Sequence, residues 1–108
     1  MMNKLPTALG LAVLLAASSA LAQTTGNPAA GQALAVQVCA TCHKVTATQP
    51  NPPGNAPSFA AIADMSSTTE MALHAFFSTP HANMPNLVLT LPQQDDVIAY
   101  ILDQRKSR

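Results

Sequence analysis

The sequence predicts an all-α fold of three to five short helices joined by long irregular loops. Three observations carry that expectation. No stretch convincingly alternates apolar and polar residues in the two-residue period of a half-buried strand. Helix-start signatures recur at Asn27-Pro28, Ser67-Thr68-Thr69-Glu70 and Thr90-Leu91-Pro92-Gln93. The helix-breaking residues gather in two segments, TATQPNPPGNAP (46–57) and PHANMPN (80–86), where no regular element fits.

The ends come first. Met1-Met2-Asn3-Lys4 is a short positive start, Leu5 to Ala17 is almost wholly apolar, and Ser18-Ser19-Ala20-Leu21-Ala22 supplies small residues in an A-x-A arrangement. That order predicts an export signal over residues 1–22, cleaved after Ala22, with a periplasmic destination. The apolar run is short for a membrane anchor, since crossing about 30 Å of hydrocarbon takes roughly 20 apolar residues. No membrane span is expected once the signal is gone.

Removing those 22 of 108 residues leaves 86, residues 23–108, and so one domain. Domains of that size bury a small share of their surface and often need a disulfide, a metal or a cofactor. This one also has no Trp, one Tyr and three Phe, so a bound hydrophobic cofactor would supply missing core volume. Without Lys4, four basic residues face five acidic ones. A charge near −1 with no basic patch argues against nucleic acid or an anionic membrane surface as partner.

Along the chain, Asn27 reads as an N-cap and Pro28 as the first helical position. The Ala-rich stretch Ala29–Val38 continues that helix and delivers Cys39, Cys42 and His43 at its end. Gly31 is its weak point, because glycine costs about 1 kcal/mol against alanine in a helix interior. Close approach of another helix would explain it. After the first loop a short helix is expected over Ser58–Ala63, carrying Phe59 and Ile62. The capping box at Ser67 predicts a third helix to about Ser78, with Leu73, Phe76 and Phe77 on one face and Met71 and His74 on the exposed flank. Thr79-Pro80 ends it. The capping box at Thr90 opens the last helix, which turns Val97, Ile98, Ile101 and Leu102 inward with Tyr100 at the edge of that stripe. Arg105, Lys106 and Arg108 follow, where cations suit the helix dipole.

The chemistry lies in Cys39-Ala40-Thr41-Cys42-His43. A disulfide is chemically permissible after export, but it closes so small a loop that it staples poorly. A redox-active dithiol of the thioredoxin kind sits in a βαβ pattern, which needs strands. Zinc requires four ligands, and His43 with His74 or His81 does not complete any usual spacing. Haem attachment accounts for more. Cysteines at i and i+3 share a helical face and can form thioethers with one porphyrin edge, while the adjacent imidazole reaches the iron. C-x-x-C-H is the signal for c-type haem attachment.

For the opposite side of the iron the candidates are His74, His81, Met65, Met71 and Met84. Met65 precedes the capping box and reads as a gap filler. Met84 lies in a proline-bounded loop, Asn83-Met84-Pro85-Asn86, where a side chain can project into a pocket shared by the last two helices. It is the preferred ligand. His81 is the competitor, giving a bis-His iron of lower potential, and otherwise reads as a loop histidine that bonds locally or faces solvent.

Together these residues resemble a known family. Cys39–His43 near the start of the processed chain, Met84-Pro85 late in it, and Asp96-Val97-Ile98-Ala99-Tyr100-Ile101 in the last helix are similar to a small bacterial class I cytochrome c. The likeness runs through nearly all of residues 23–108. It implies an all-α domain packed around one covalent haem c, with Cys39 and Cys42 as thioether positions and His43 and Met84 as axial ligands. It implies further that Gly31 marks the crossing of the first and last helices, with Tyr100 in contact there. Two features depart from the family. Ala35 replaces an aromatic often found four residues after that glycine, which predicts a looser crossing. The proline whose carbonyl accepts the proximal imidazole N–H is not assignable among Pro50, Pro52, Pro53 and Pro57.

The implied function is one-electron transfer between redox partner proteins docking near the Cys39–Cys42 segment, rather than catalysis. Burial of the ring among Phe59, Leu73, Phe77 and Ile101 should raise its potential. Two other classes stay open. A sensor or enzyme with an open or displaceable sixth position would bind CO when reduced. A haem subunit of a larger periplasmic dehydrogenase would co-purify with it in fixed ratio.

Overall fold

The computed structural model describes Asn3 and residues 25–107. The expected export signal over residues 1–22 therefore falls, Asn3 apart, outside the described residues, as do the side chains of Lys106 and Arg108. The described chain is helical, without a strand, and forms α1 (Pro28–Val38), α2 (Phe59–Asp64), α3 (Glu70–Phe77) and α4 (Leu91–Asp103), followed by a 3-10 turn over Gln104–Ser107. This is the all-α fold that the sequence predicts.

The α1 helix begins as its sequence dictates. Asn27 Oδ1 accepts from the amides of Ala29 and Ala30 at 2.9 and 3.2 Å, capping two donors that the first turn leaves orphaned. The Asn27 amide itself donates to Asp96 Oδ1 at 2.8 Å, so the cap also ties α1 to α4. One turn on, the two helices cross at Gly31. A Cβ there would lie 1.9 Å from the Asp96 carbonyl oxygen and 3.0 Å from Tyr100 Cβ. Gly26 meets α4 in the same way, with a Cβ 1.9 Å from the Asp95 carbonyl oxygen. The missing side chains are what let the backbones touch. Ala35 is completely buried at this seam's core, in one cluster with Val97 and Ile98.

The α2 helix starts one residue later than expected, because Ser58 serves as its N-cap through a 3.0 Å bond from the Ala61 amide. Phe59 and Ala63 are its buried face. The start of α3 differs more. Its N-cap is Thr69, whose Oγ1 accepts from the Ala72 amide at 3.1 Å, and not Ser67. The reason lies in the preceding turn. Thr68 is buried and donates its hydroxyl to the Ile62 carbonyl at 2.6 Å, so the chain is still closing α2 at the point where the capping box would begin.

The capping box of α4 forms as read, with Thr90 Oγ1 and the Gln93 side chain each engaging the other's backbone amide. Val97, Ile98 and Ile101 are buried, Leu102 and Tyr100 half-buried, and α4 packs against all three other helices. Arg105 does something its place after the helix does not reveal. Its guanidinium reaches back across the fold to the carbonyls of Ala63 (2.8 Å) and Thr68, fastening the end of α2 to the end of the chain.

Candidate functional site

The helices and the two long loops border a partly open cavity of about 900 Å³. Its lining includes Cys39, Cys42, His43 and Met84, the four residues singled out from the sequence, together with Phe59, Leu73, Phe77 and Ile101. Chemistry-bearing groups from the end of α1 and from the loop between α3 and α4 thus share one largely apolar space. The volume lies at the upper end of the roughly 300–1,000 Å³ of small-molecule sites.

The attachment motif is a turn that continues α1 beyond its last helical residue. The Cys39 amide bonds to the Ala35 carbonyl at 2.8 Å, and the amides of Cys42 and His43 both bond to the Cys39 carbonyl, at 3.2 and 2.9 Å. Cys39 is buried and Cys42 exposed, and no disulfide joins them. Burial pushes the Cys39 thiol up from 9.0 to about 11.

His43 is held in one tautomer. Its Nδ1 lies 2.6 Å from the Pro57 carbonyl oxygen and must donate to it, which leaves Nε2 with the lone pair that binds a metal. Pro57 is therefore the proline that the sequence left unassigned. The imidazole lies against Phe59, ring centroids 5.6 Å apart, and Phe59 in turn contacts Tyr100 at 6.2 Å.

Gln49, which sequence reading passed over, threads the turn together. Its Oε1 accepts from the Val45 amide at 2.8 Å, and its Nε2 donates to the carbonyls of Ala40 and His43, each at 3.0 Å. The Val45 carbonyl is taken from the other side by the Tyr100 hydroxyl and by Gln104 Nε2 at 3.3 Å. A lone glutamine in a proline-rich loop carries no signal of such a role.

Met84 is half-buried in the cavity wall, in a turn where its amide bonds to the His81 carbonyl at 3.4 Å. Asn83 before it takes a left-handed backbone (φ 64°), which asparagine tolerates better than most residues. His81 also borders the cavity, but its ring stacks on Phe76 (centroids 3.4 Å apart) and its Nε2 lies 3.0 Å from the Phe76 carbonyl. Met71 is 82% exposed, as expected of its flank. His74 is not. It is partly buried, paired with Asp95 at 2.9 Å and 3.3 Å from Gln94 Oε1, because α4 covers that side of α3. Met65 borders the cavity. The zinc arrangement finds no support either. Among the described residues, the set of three metal-ligating side chains brought together is Glu70, His74 and Asp95, which excludes both cysteines.

These residues fit a covalently held haem. Two thiols three residues apart, an imidazole oriented by its Nδ1 bond to a carbonyl, a thioether on a separate loop and an apolar lining are the donor set and surroundings that such a group requires.

Compared with known proteins, the chain is 38% identical over 93 residues to cytochrome c-552 of Bradyrhizobium diazoefficiens, an alignment covering 86% of this chain and 86% of that one. No family profile matches the chain, and no solved structure does.

Proposed function

The chain belongs to the small bacterial class I cytochromes c, and from that premise we propose that it is an exported one-electron carrier, its haem joined to Cys39 and Cys42 and ligated by His43 and Met84. Bound haem supplies the ferric–ferrous couple. The protein's part is to hold that couple still, dry and within reach of partners. The observation that carries the reading is the single cavity on which Cys39, Cys42, His43 and Met84 converge.

Each residue has a distinct task. His43, with its Nδ1 proton committed to Pro57, offers Nε2 as the proximal ligand and has its ring orientation restrained. Met84 offers a soft thioether, which favours the reduced ion and raises the potential. His81 is the poorer candidate, since its ring is stacked on Phe76 and its Nε2 is engaged by the Phe76 carbonyl at the end of α3. Phe59, Leu73, Phe77 and Ile101 keep water from the ring, which disfavours the more charged oxidised state. With His43 and Met84 both holding the iron, the haem would supply electron transfer and leave no open coordination position for a substrate.

Donors and acceptors would approach the ring edge beside the Cys39–Cys42 segment, where the two thioethers would hold it. The small net charge implies a weak dependence of docking on salt. The test is the near-infrared spectrum of the oxidised protein. A weak methionine–iron band should be present, lost in Met84→Ala and kept in His81→Ala. A band that survives Met84→Ala rejects the ligand assignment. Reduced Met84→Ala should bind CO and the unaltered protein should not; avid binding by the latter would point to an open sixth position.

A further inference from the structure

We propose that Gln49 is a positioning residue for the axial imidazole, acting through the main chain of the attachment turn. The proposal rests on the haem reading above. Three backbone groups of that turn, the carbonyls of Ala40 and His43 and the amide of Val45, have no backbone partner among the described residues. The primary amide of Gln49 serves all three, as acceptor for one and as double donor for the others. It does for this turn what a neighbouring strand would do for an extended segment.

The consequence concerns His43. Its amide is held by the Cys39 carbonyl at 2.9 Å, its ring Nδ1 by the Pro57 carbonyl at 2.6 Å, and its own carbonyl by Gln49 at 3.0 Å. Two of those grips are main-chain grips, and Gln49 supplies the one on the C-terminal side. The next carbonyl, that of Lys44, is held by the Phe59 amide at 3.0 Å, so losing Gln49 frees the single peptide that joins His43 to Lys44, and the ring turns with it about the Pro57 bond. The plane of an axial imidazole directs the half-filled orbital of low-spin ferric iron. The pattern of haem-methyl proton shifts therefore reports the ring angle together with the orientation of the opposite ligand, and Gln49 touches only the turn that carries His43, whereas general loosening of the fold moves chiefly the melting midpoint.

The experiment compares haem-methyl shifts of oxidised, haem-loaded protein for the unaltered chain, Gln49→Ala, Gln49→Glu and the exposed neighbour Thr48→Ala. Glutamate keeps an acceptor for the Val45 amide but loses both donors, so Gln49→Glu should redistribute the shifts much as Gln49→Ala does. Both changes should be several times larger than that of Thr48→Ala. If Gln49→Ala does not accumulate, Gln49→Glu alone decides. Shifts in either glutamine variant that match the unaltered protein, whatever the melting midpoint, overturn the proposal. If the unaltered protein lacks haem resonances altogether, the haem reading fails and the proposal falls with it.

Discussion

Replacing Gly31 by alanine tests the helix crossing on which the site depends. The new Cβ would stand 1.9 Å from the Asp96 carbonyl oxygen, a backbone atom that cannot swing aside. An unstrained carbon–oxygen contact needs roughly 3.3 Å, so α1 and α4 must part locally by about 1.4 Å. That movement strains the 2.8 Å bond from the Asn27 amide to Asp96 and the burial of Ala35, Val97 and Ile98. Overpacking of this kind costs about 1–3 kcal/mol, here at the upper end because backbone must move. A strained hydrogen bond adds about 0.5–1.5 kcal/mol. Alanine's better helix propensity returns about 1 kcal/mol. The net loss is about 1.5–3.5 kcal/mol, which in a domain of this size lowers the melting midpoint by about 6–28 °C. Thermal unfolding of the haem-loaded protein by far-ultraviolet circular dichroism measures it, with the exposed Gln32→Ala as control. A Gly31→Ala protein that melts within about 2 °C of the unaltered one would refute the crossing and the magnitude together.

Two further outcomes follow from particular contacts. Thr69→Ala should cost about 1 kcal/mol by denaturant unfolding while Ser67→Ala stays within about 0.5 kcal/mol, because Thr69 and not Ser67 caps α3; equal effects would contradict that start. In the haem-free chain Cys42 should alkylate well before Cys39 near neutral pH, since Cys42 is exposed and Cys39 buried with its thiol raised to about 11. The unfolded chain releases that proton near the ordinary 9.0 and the folded chain holds it to about 11, so this contribution is intact below 9.0 and is lost as pH rises through the window. Equal alkylation rates would mean that the thiol pocket does not form before attachment.

Much of this was legible in the chain because the signals were local. Asn27-Pro28 and the Thr90–Gln93 box act within one turn of backbone, and both form as read. C-x-x-C-H needs only five residues to state its chemistry, and the puzzling Gly31 pointed to a neighbour that the structure supplies in Asp96. What the chain hid depends on distant partners. Thr69 wins over Ser67 because Thr68 is claimed by the Ile62 carbonyl, a contact made after α2 has folded. His74 looked exposed until α4 brought Asp95 and Gln94 against it. Pro57 was one of four equivalent prolines until the loop placed its carbonyl at the His43 ring. Gln49 and Arg105 act by donating to main-chain carbonyls, and no residue pattern announces which carbonyls will need a donor.

The attachment itself is most directly tested by the intact mass of protein exported from a haem-attaching host and denatured in acidified acetone. The account predicts a polypeptide beginning at Gln23 and heavier by one haem, with the colour remaining in the protein pellet. A polypeptide of unmodified mass, with Cys39 and Cys42 as thiols or a disulfide and any pigment in the acetone, would contradict it.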